Sequence, residues 1–298
     1  MDYTHPKRKT KVVFVQLGSP SEPTAKALRK YLRKFLGDPR VIDINPWLWK
    51  IILNCFVLPF RPQKSAKLYA RIWDGKSFPL ITNTRDFTKS VGEELKKIDP
   101  EGYVEVNHAF LLSPPYVNEV YDSWEEDLKK GVGATKLLVI PMFPQYSEST
   151  IASGIDALAK ELSKRVKIPT FEVITNFHRT HAFIDNSVMQ IDTKLNELNN
   201  QGKKIDNLII TFHGMQKRRI VNKGDDYYRH CYETFCLITK NLKHIKPDQC
   251  LMSFQSRFGS EEWITPYTED VVKKLISEGK KEIAIYSPSF VADCLETT

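Results

Sequence analysis

NLIITFHGMQKR, residues 207–218, opens with near-continuous strand character and then breaks at a His-Gly pair and a basic turn. An apolar run without polar alternation suits a strand covered on both faces, as in a parallel sheet. Six further runs share that character: VVFVQL (12–17), VEVNHAF (104–110), KLLVIPM (136–142), TFEVIT (170–175), QCLMSF (249–254) and EIAIYS (282–287). Between most of them, apolar residues recur three or four apart at 24–36, 79–97, 116–130, 150–166, 181–200, 227–243 and 268–278, which predicts helices. Alternation of strand and helix implies a doubly wound α/β architecture. The runs fall into an early set and a late set of four, parted by the helix at 150–166. Each half can therefore form its own small sheet, dividing the chain into domains at 10–155 and 156–298.

The chain has 298 residues, 41% hydrophobic, with 13 Gly and 17 Pro, which excludes collagen-like, low-complexity and wholly disordered states. Its formal charge of +8 favours an acidic small molecule, an anionic membrane surface or nucleic acid without choosing among them. No nucleic-acid motif accompanies that charge, and LGSP (17–20) lacks both the dinucleotide fingerprint and the P-loop pattern. Five cysteines form neither a CxxC pair nor a disulfide framework, so a reducing cytoplasm is expected, with no export. The greasiest segment, PWLWKIILNCFVLPF (46–60), is interrupted by Lys50 and Asn54 and falls short of the ~20 residues that span a bilayer.

In open α/β sheets ligands sit beyond the carboxyl ends of the strands. Two groups there attract attention. His213 ends a strand before Gly214, and Glu296 follows the last strand in SPSFVADCLET (287–297). An imidazole and a carboxylate converging from two strand ends bind a divalent cation or move protons, although a histidine in such a place also serves as a structural hydrogen-bonder.

PQYSESTIAS (144–153), TFHGMQKRR with GDDYY (211–219, 224–228), FQSRFGSEEWITPYT (254–268) and SPSFVADCLET (287–297), in this order, resemble the ferrochelatases, the metal-inserting enzymes of haem synthesis. The similarity runs from LGSP to the end, and segment 41–62 looks like the lip of Gram-negative bacterial members. The resemblance implies two Rossmann-like domains, each with a mostly parallel four-stranded sheet flanked by helices, around a porphyrin cleft. It implies insertion of Fe(II) into a dianionic porphyrin, with protoporphyrin IX favoured over coproporphyrin by the Gram-negative likeness. The family's essential histidine and glutamate map onto His213 and Glu296, as catalytic and metal-site residues.

Porphyrin and ferrous iron are the implied substrates. No permanently bound cofactor is implied, and with Cys231, Cys236 and Cys250 alone an iron–sulfur cluster is not expected. Rigid aromatics suit a grip on a flat macrocycle, and Phe143, Tyr146, Phe258, Trp263 and Phe290 are the candidates, all but Tyr146 and Trp263 weighed against an ordinary core role. Lys217, Arg218, Arg219, Lys223 and Arg257 can face the propionates; the run Lys217–Arg219 can equally be a solvated loop, and Arg257 can tie two loops together. Ser147 and its neighbours can bind a propionate or cap the helix near 150. Segment 46–60 carries too many large apolar residues for one buried stripe, so a cleft lip in peripheral contact with the inner face of a membrane is expected beside a plain core helix.

The match departs from the family at 108–111, where His-Ala-Phe-Leu stands in place of the usual Met-Arg-Tyr or Met-Thr-Tyr pattern, and at Gln216, in place of a proline. Relatives also continue past the last motif with a long helix, whereas this sequence stops at Thr298. Those departures leave open a second reading, a porphyrin-binding or sensing paralogue that inserts no metal.

Overall fold

The computed structural model describes residues 9–131 and 133–297. Two compact units divide the chain, and they interleave in sequence. Of the described residues, the first comprises those from 9 to 142 together with 148–175 and 292–297; the second comprises 143–147 and 176–291.

The first unit contains β1 (Thr10–Gln16), α1 (Ala25–Leu36), α2 (Pro46–Ile52), α3 (Leu58–Tyr69), α4 (Pro79–Ile98), β2 (Val104–Phe110), α5 (Val117–Lys129), β3 (Lys136–Pro141), α6 (Ser153–Leu162) and β4 (Thr170–Val173). Its strands are all parallel, in the order β2-β1-β3-β4. Because side chains alternate across a strand, the β1 residues divide between two cores. Val13 and Val15 pack with Leu137, Val139, Trp124 and Leu158 beneath α5 and α6, while Val12 and Phe14 pack with Met142 and Leu138 on the other face. This double burial is why the run carries no polar alternation.

The second unit contains α7 (His181–Asn200), β5 (Asn207–His213), α8 (Lys217–Lys223), α9 (Tyr227–Asn241), β6 (Cys250–Gln255), α10 (Thr268–Ser277) and β7 (Ile283–Tyr286). The sheet is parallel, in the order β6-β5-β7. Leu208, Ile210 and Phe212 of β5 face Ile191 and Leu195 of α7 and Cys231 and Ile238 of α9. Thr268 at the start of α10 bonds Thr211 of β5 at 2.7 Å and Ser253 of β6 at 2.9 Å, pinning the helix to the central strands.

Among the described residues the two sheets hold four and three strands, which corrects the assignment of 170–175 to the late set. β4 pairs in parallel with β3, Lys136 opposite Thr170 through Val139 opposite Val173. Leu158 and Leu162 of α6 pack against Val139, so the short connection after α6 returns the chain to the open edge of β3, closing a βαβ unit.

The lip segment is a broken helix. Asn45 caps α2, its side-chain oxygen accepting from Trp47 N–H at 3.0 Å and Leu48 N–H at 3.2 Å. A π-helical turn at Leu53–Val57 separates α2 from α3. Only Leu53, Leu58 and Pro62 of this stretch are buried, Leu53 and Leu58 against Tyr31, Leu32 and Leu36 of α1, and the Trp49 indole donates to Leu36 O at 2.6 Å. Trp47 (76% exposed), Ile51, Phe56 and Phe60 (68%) face outward. Among the described residues no helix is long and apolar enough to cross a membrane.

Candidate active site

His213 is the last residue of β5. Its Nδ1 lies 2.6 Å from the carbonyl oxygen of Gly214. A carbonyl only accepts, so Nδ1 carries the proton and Nε2 holds the lone pair. The next residue must be glycine for steric reasons. A Cβ at Gly214 would lie 2.8 Å from Gln255 O and 2.9 Å from Trp263 Cε3. That close approach lets Gly214 N–H donate to Gln255 O at 2.7 Å. Beyond it, Ile264 N–H donates to Met215 O and Lys217 N–H to Glu262 O, both at 2.9 Å, so the loops after β5 and β6 are zipped together.

This zipper brings Trp263 to His213, the ring centroids 6.4 Å apart, with the indole buried and its Nε1 lacking a hydrogen-bond partner. Phe290, half-buried in the loop after β7, places its ring 6.3 Å from His213. Three sequence-predicted residues, His213, Trp263 and Phe290, therefore form one cluster.

Tyr146 and Ser147 lie in the short segment that joins the second unit, Ser147 being buried. Tyr146 N–H donates to Nδ1 of His230 on α9 at 3.2 Å. The imidazole of His230 stacks on that of His178, centroids 3.9 Å apart, and His178 Nε2 meets Glu233 Oε2 at 2.8 Å. Burial, then the neighbouring His178 and Arg229, push His230 down to about 4, and burial lowers His178 despite Glu233. Sequence reasoning missed this pair. The available signal was a histidine and two threonines, His230, Thr234 and Thr239, on the buried stripe of α9.

The predicted cationic run proves to tie loops. Lys217 pairs with Glu262 at 2.8 Å and Arg218 with Glu261 at 2.9 Å, and Arg219 is buried. Arg257, exposed, lies with its guanidinium 4.9 Å from the centre of the Tyr267 ring, a cation–π contact. At the start of α6 the Ser153 hydroxyl donates to Asp38, so that serine anchors the 38–43 loop.

Glu296 is exposed and belongs to the first unit. Its charge bears on Tyr31, Tyr69 and Cys294. Burial is the main reason that all three are held protonated, the Tyr31 and Tyr69 hydroxyls also sharing a hydrogen bond. Arg61 neighbours Tyr69, and burial lowers its guanidinium. Tyr31 and Tyr69 also escaped the sequence reading, since they lie more than two hundred residues from Glu296 in the chain.

Comparison with known proteins agrees with these motifs. The family model described as Ferrochelatase matches residues 9–298. A ferrochelatase of Idiomarina loihiensis is 39% identical over 96% of this chain and 75% of its own length. A coproporphyrin III ferrochelatase of Streptococcus mutans is 39% identical over 97% of this chain and 85% of its own. A ferrochelatase of Marinobacter nauticus is 37% identical over 96% of this chain and 74% of its own. The chain belongs to the ferrochelatase family, whose members take ferrous iron and a porphyrin as substrates in haem biosynthesis.

Proposed function

We propose that this protein is a lyase inserting Fe(II) into protoporphyrin IX to give protohaem, with His213 and Glu296 as its proton-handling and metal-site residues. The observation that carries this reading is the 2.6 Å bond from His213 Nδ1 to Gly214 O, which turns Nε2 away from the backbone beside two aromatic rings. A free porphyrin holds two pyrrole protons and is nearly planar, so a metal enters only when the ring is bent and both protons have acceptors. Stacking on Trp263, Phe290 and Tyr146 supplies the binding energy for that distortion. His213 Nε2 takes a pyrrole proton, Fe(II) replaces two protons at the ring centre without changing oxidation state, and both protons pass to solvent. Glu296 lies near Tyr31, Tyr69 and Cys294, which stay protonated chiefly through burial. Its carboxylate serves the second proton or the incoming metal.

The choice of porphyrin rests on the lip. Trp47, Ile51, Phe56 and Phe60 give an exposed apolar face flanked by Lys50, Arg61 and Lys64, suited to the surface of an anionic bilayer that holds an apolar substrate. Coproporphyrin, with four carboxylates against two, gains less from such a surface. Anaerobic turnover with each porphyrin tests the assignment. The expected result is a kcat/KM at least about tenfold higher for protoporphyrin IX, roughly 1.4 kcal/mol. Equal or reversed values overturn it. Cosedimentation with anionic vesicles tests the lip, and Trp47→Ser with Phe56→Ser should release the protein.

A further inference from the structure

Gln145 is 2% exposed, and both ends of its amide are engaged. The Ser289 hydroxyl donates to Gln145 Oε1 at 2.8 Å. Gln145 Nε2 donates to Thr234 Oγ1 at 3.1 Å, and the Thr234 hydroxyl passes its own proton to the His230 carbonyl at 2.8 Å. Every donor in that chain meets an acceptor, so the amide has one orientation. The Tyr227 hydroxyl also bonds Ser289, and Phe290 N–H donates to Ser287 O at 3.2 Å, holding the loop as a turn. Gln145 directly precedes Tyr146, and Ser289 directly precedes Phe290.

We infer that Gln145 is a positioning residue, its clamped amide setting the spacing between the Tyr146 segment and the Phe290 wall beside His213. The inference rests on the proposed porphyrin chemistry and adds to it the group that couples two stacking surfaces. Neither end of the amide reaches the reacting atoms. Its effect is on the strain that the aromatic walls impose, so losing it reduces turnover without weakening substrate binding.

The test compares wild-type protein, Gln145→Leu, Ser289→Ala and the double variant in anaerobic insertion, with thermal unfolding measured alongside. Each single variant should lose about tenfold in kcat, in keeping with the sensitivity of catalysis to small displacements. The KM for porphyrin should stay level or fall, and Tm should stay within a few degrees. The double variant should be no slower than the worse single variant, since both interrupt one chain of bonds. Should Gln145→Leu not fold, Ser289→Ala carries the same kcat and KM expectation alone. A kcat within twofold of wild type in the folded variants, a rise in KM with kcat unchanged, or losses that multiply in the double variant would overturn the positioning role alone. Wild-type protein that inserts no metal would overturn the role together with the reading beneath it.

Discussion

His213 and the His178–His230 pair lie in the same unit and beside the same family motifs, yet they are held in opposite ways. His213 is tied at one nitrogen, to Gly214 O, and is half-buried among aromatic rings. His230 accepts from the Tyr146 amide at Nδ1, so Nε2 carries the ring's proton, and the Arg229 guanidinium packs 3.3 Å from it. His178 covers its ring face. One anchor leaves an imidazole fixed in tautomer and still reactive, whereas enclosure on every side makes it a neutral structural part. A histidine's role is therefore decided by how many of its sides are occupied, a property that depends on distant segments.

Breaking the two sites should separate their effects. The largest expected change is in turnover: His213→Ala should slow insertion about a thousandfold, in the range of lost acid–base catalysis, while unfolding free energy stays nearly unchanged. His230→Ala should do the reverse, costing about 3 kcal/mol of stability through a cavity and unmade hydrogen bonds in a denaturant titration.

The pH dependence sharpens the contrast. His230 titrates at about 4 in the folded chain against 6.5 for a free side chain, with His178, Arg229, Asp226 and Glu233 as its charged and titratable neighbours. The unfolded chain thus binds more protons between those values. The His230 contribution is complete above the upper value and is lost as pH falls toward the lower. Between pH 7 and 5 it should amount to about 2 kcal/mol, seen as the difference in slope between wild type and His230→Gln. The smallest effect should come from Glu233→Gln, about 1 kcal/mol, because the half-buried carboxylate retains a hydrogen-bonding replacement.

Much of the fold was legible because double burial leaves a direct mark. All seven apolar runs became strands, and the helical periodicities at 181–200 and 268–278 match α7 and α10 closely. The pairing of β4 was not legible: four residues on a sheet edge carry no sign of which neighbour they join, and α6 packing decided it. His213, Trp263 and Phe290 were found through motifs at strand ends, and the structure gathers them. Gln145 could be read only as part of a motif, since its partners Thr234 and Ser289 lie 89 and 144 residues away. The lip was legible as an excess of apolar residues. Its π-helical turn was not, because LNCFV also reads as ordinary helix.

The most direct test follows free-base porphyrin fluorescence anaerobically, with wild-type protein and His213→Ala each loaded with protoporphyrin IX before Fe(II) is added. Both should bind the porphyrin; wild type should then lose the fluorescence as protohaem forms, and the variant should keep it. Metal insertion by His213→Ala at the wild-type rate would contradict the role assigned to the Nε2 lone pair.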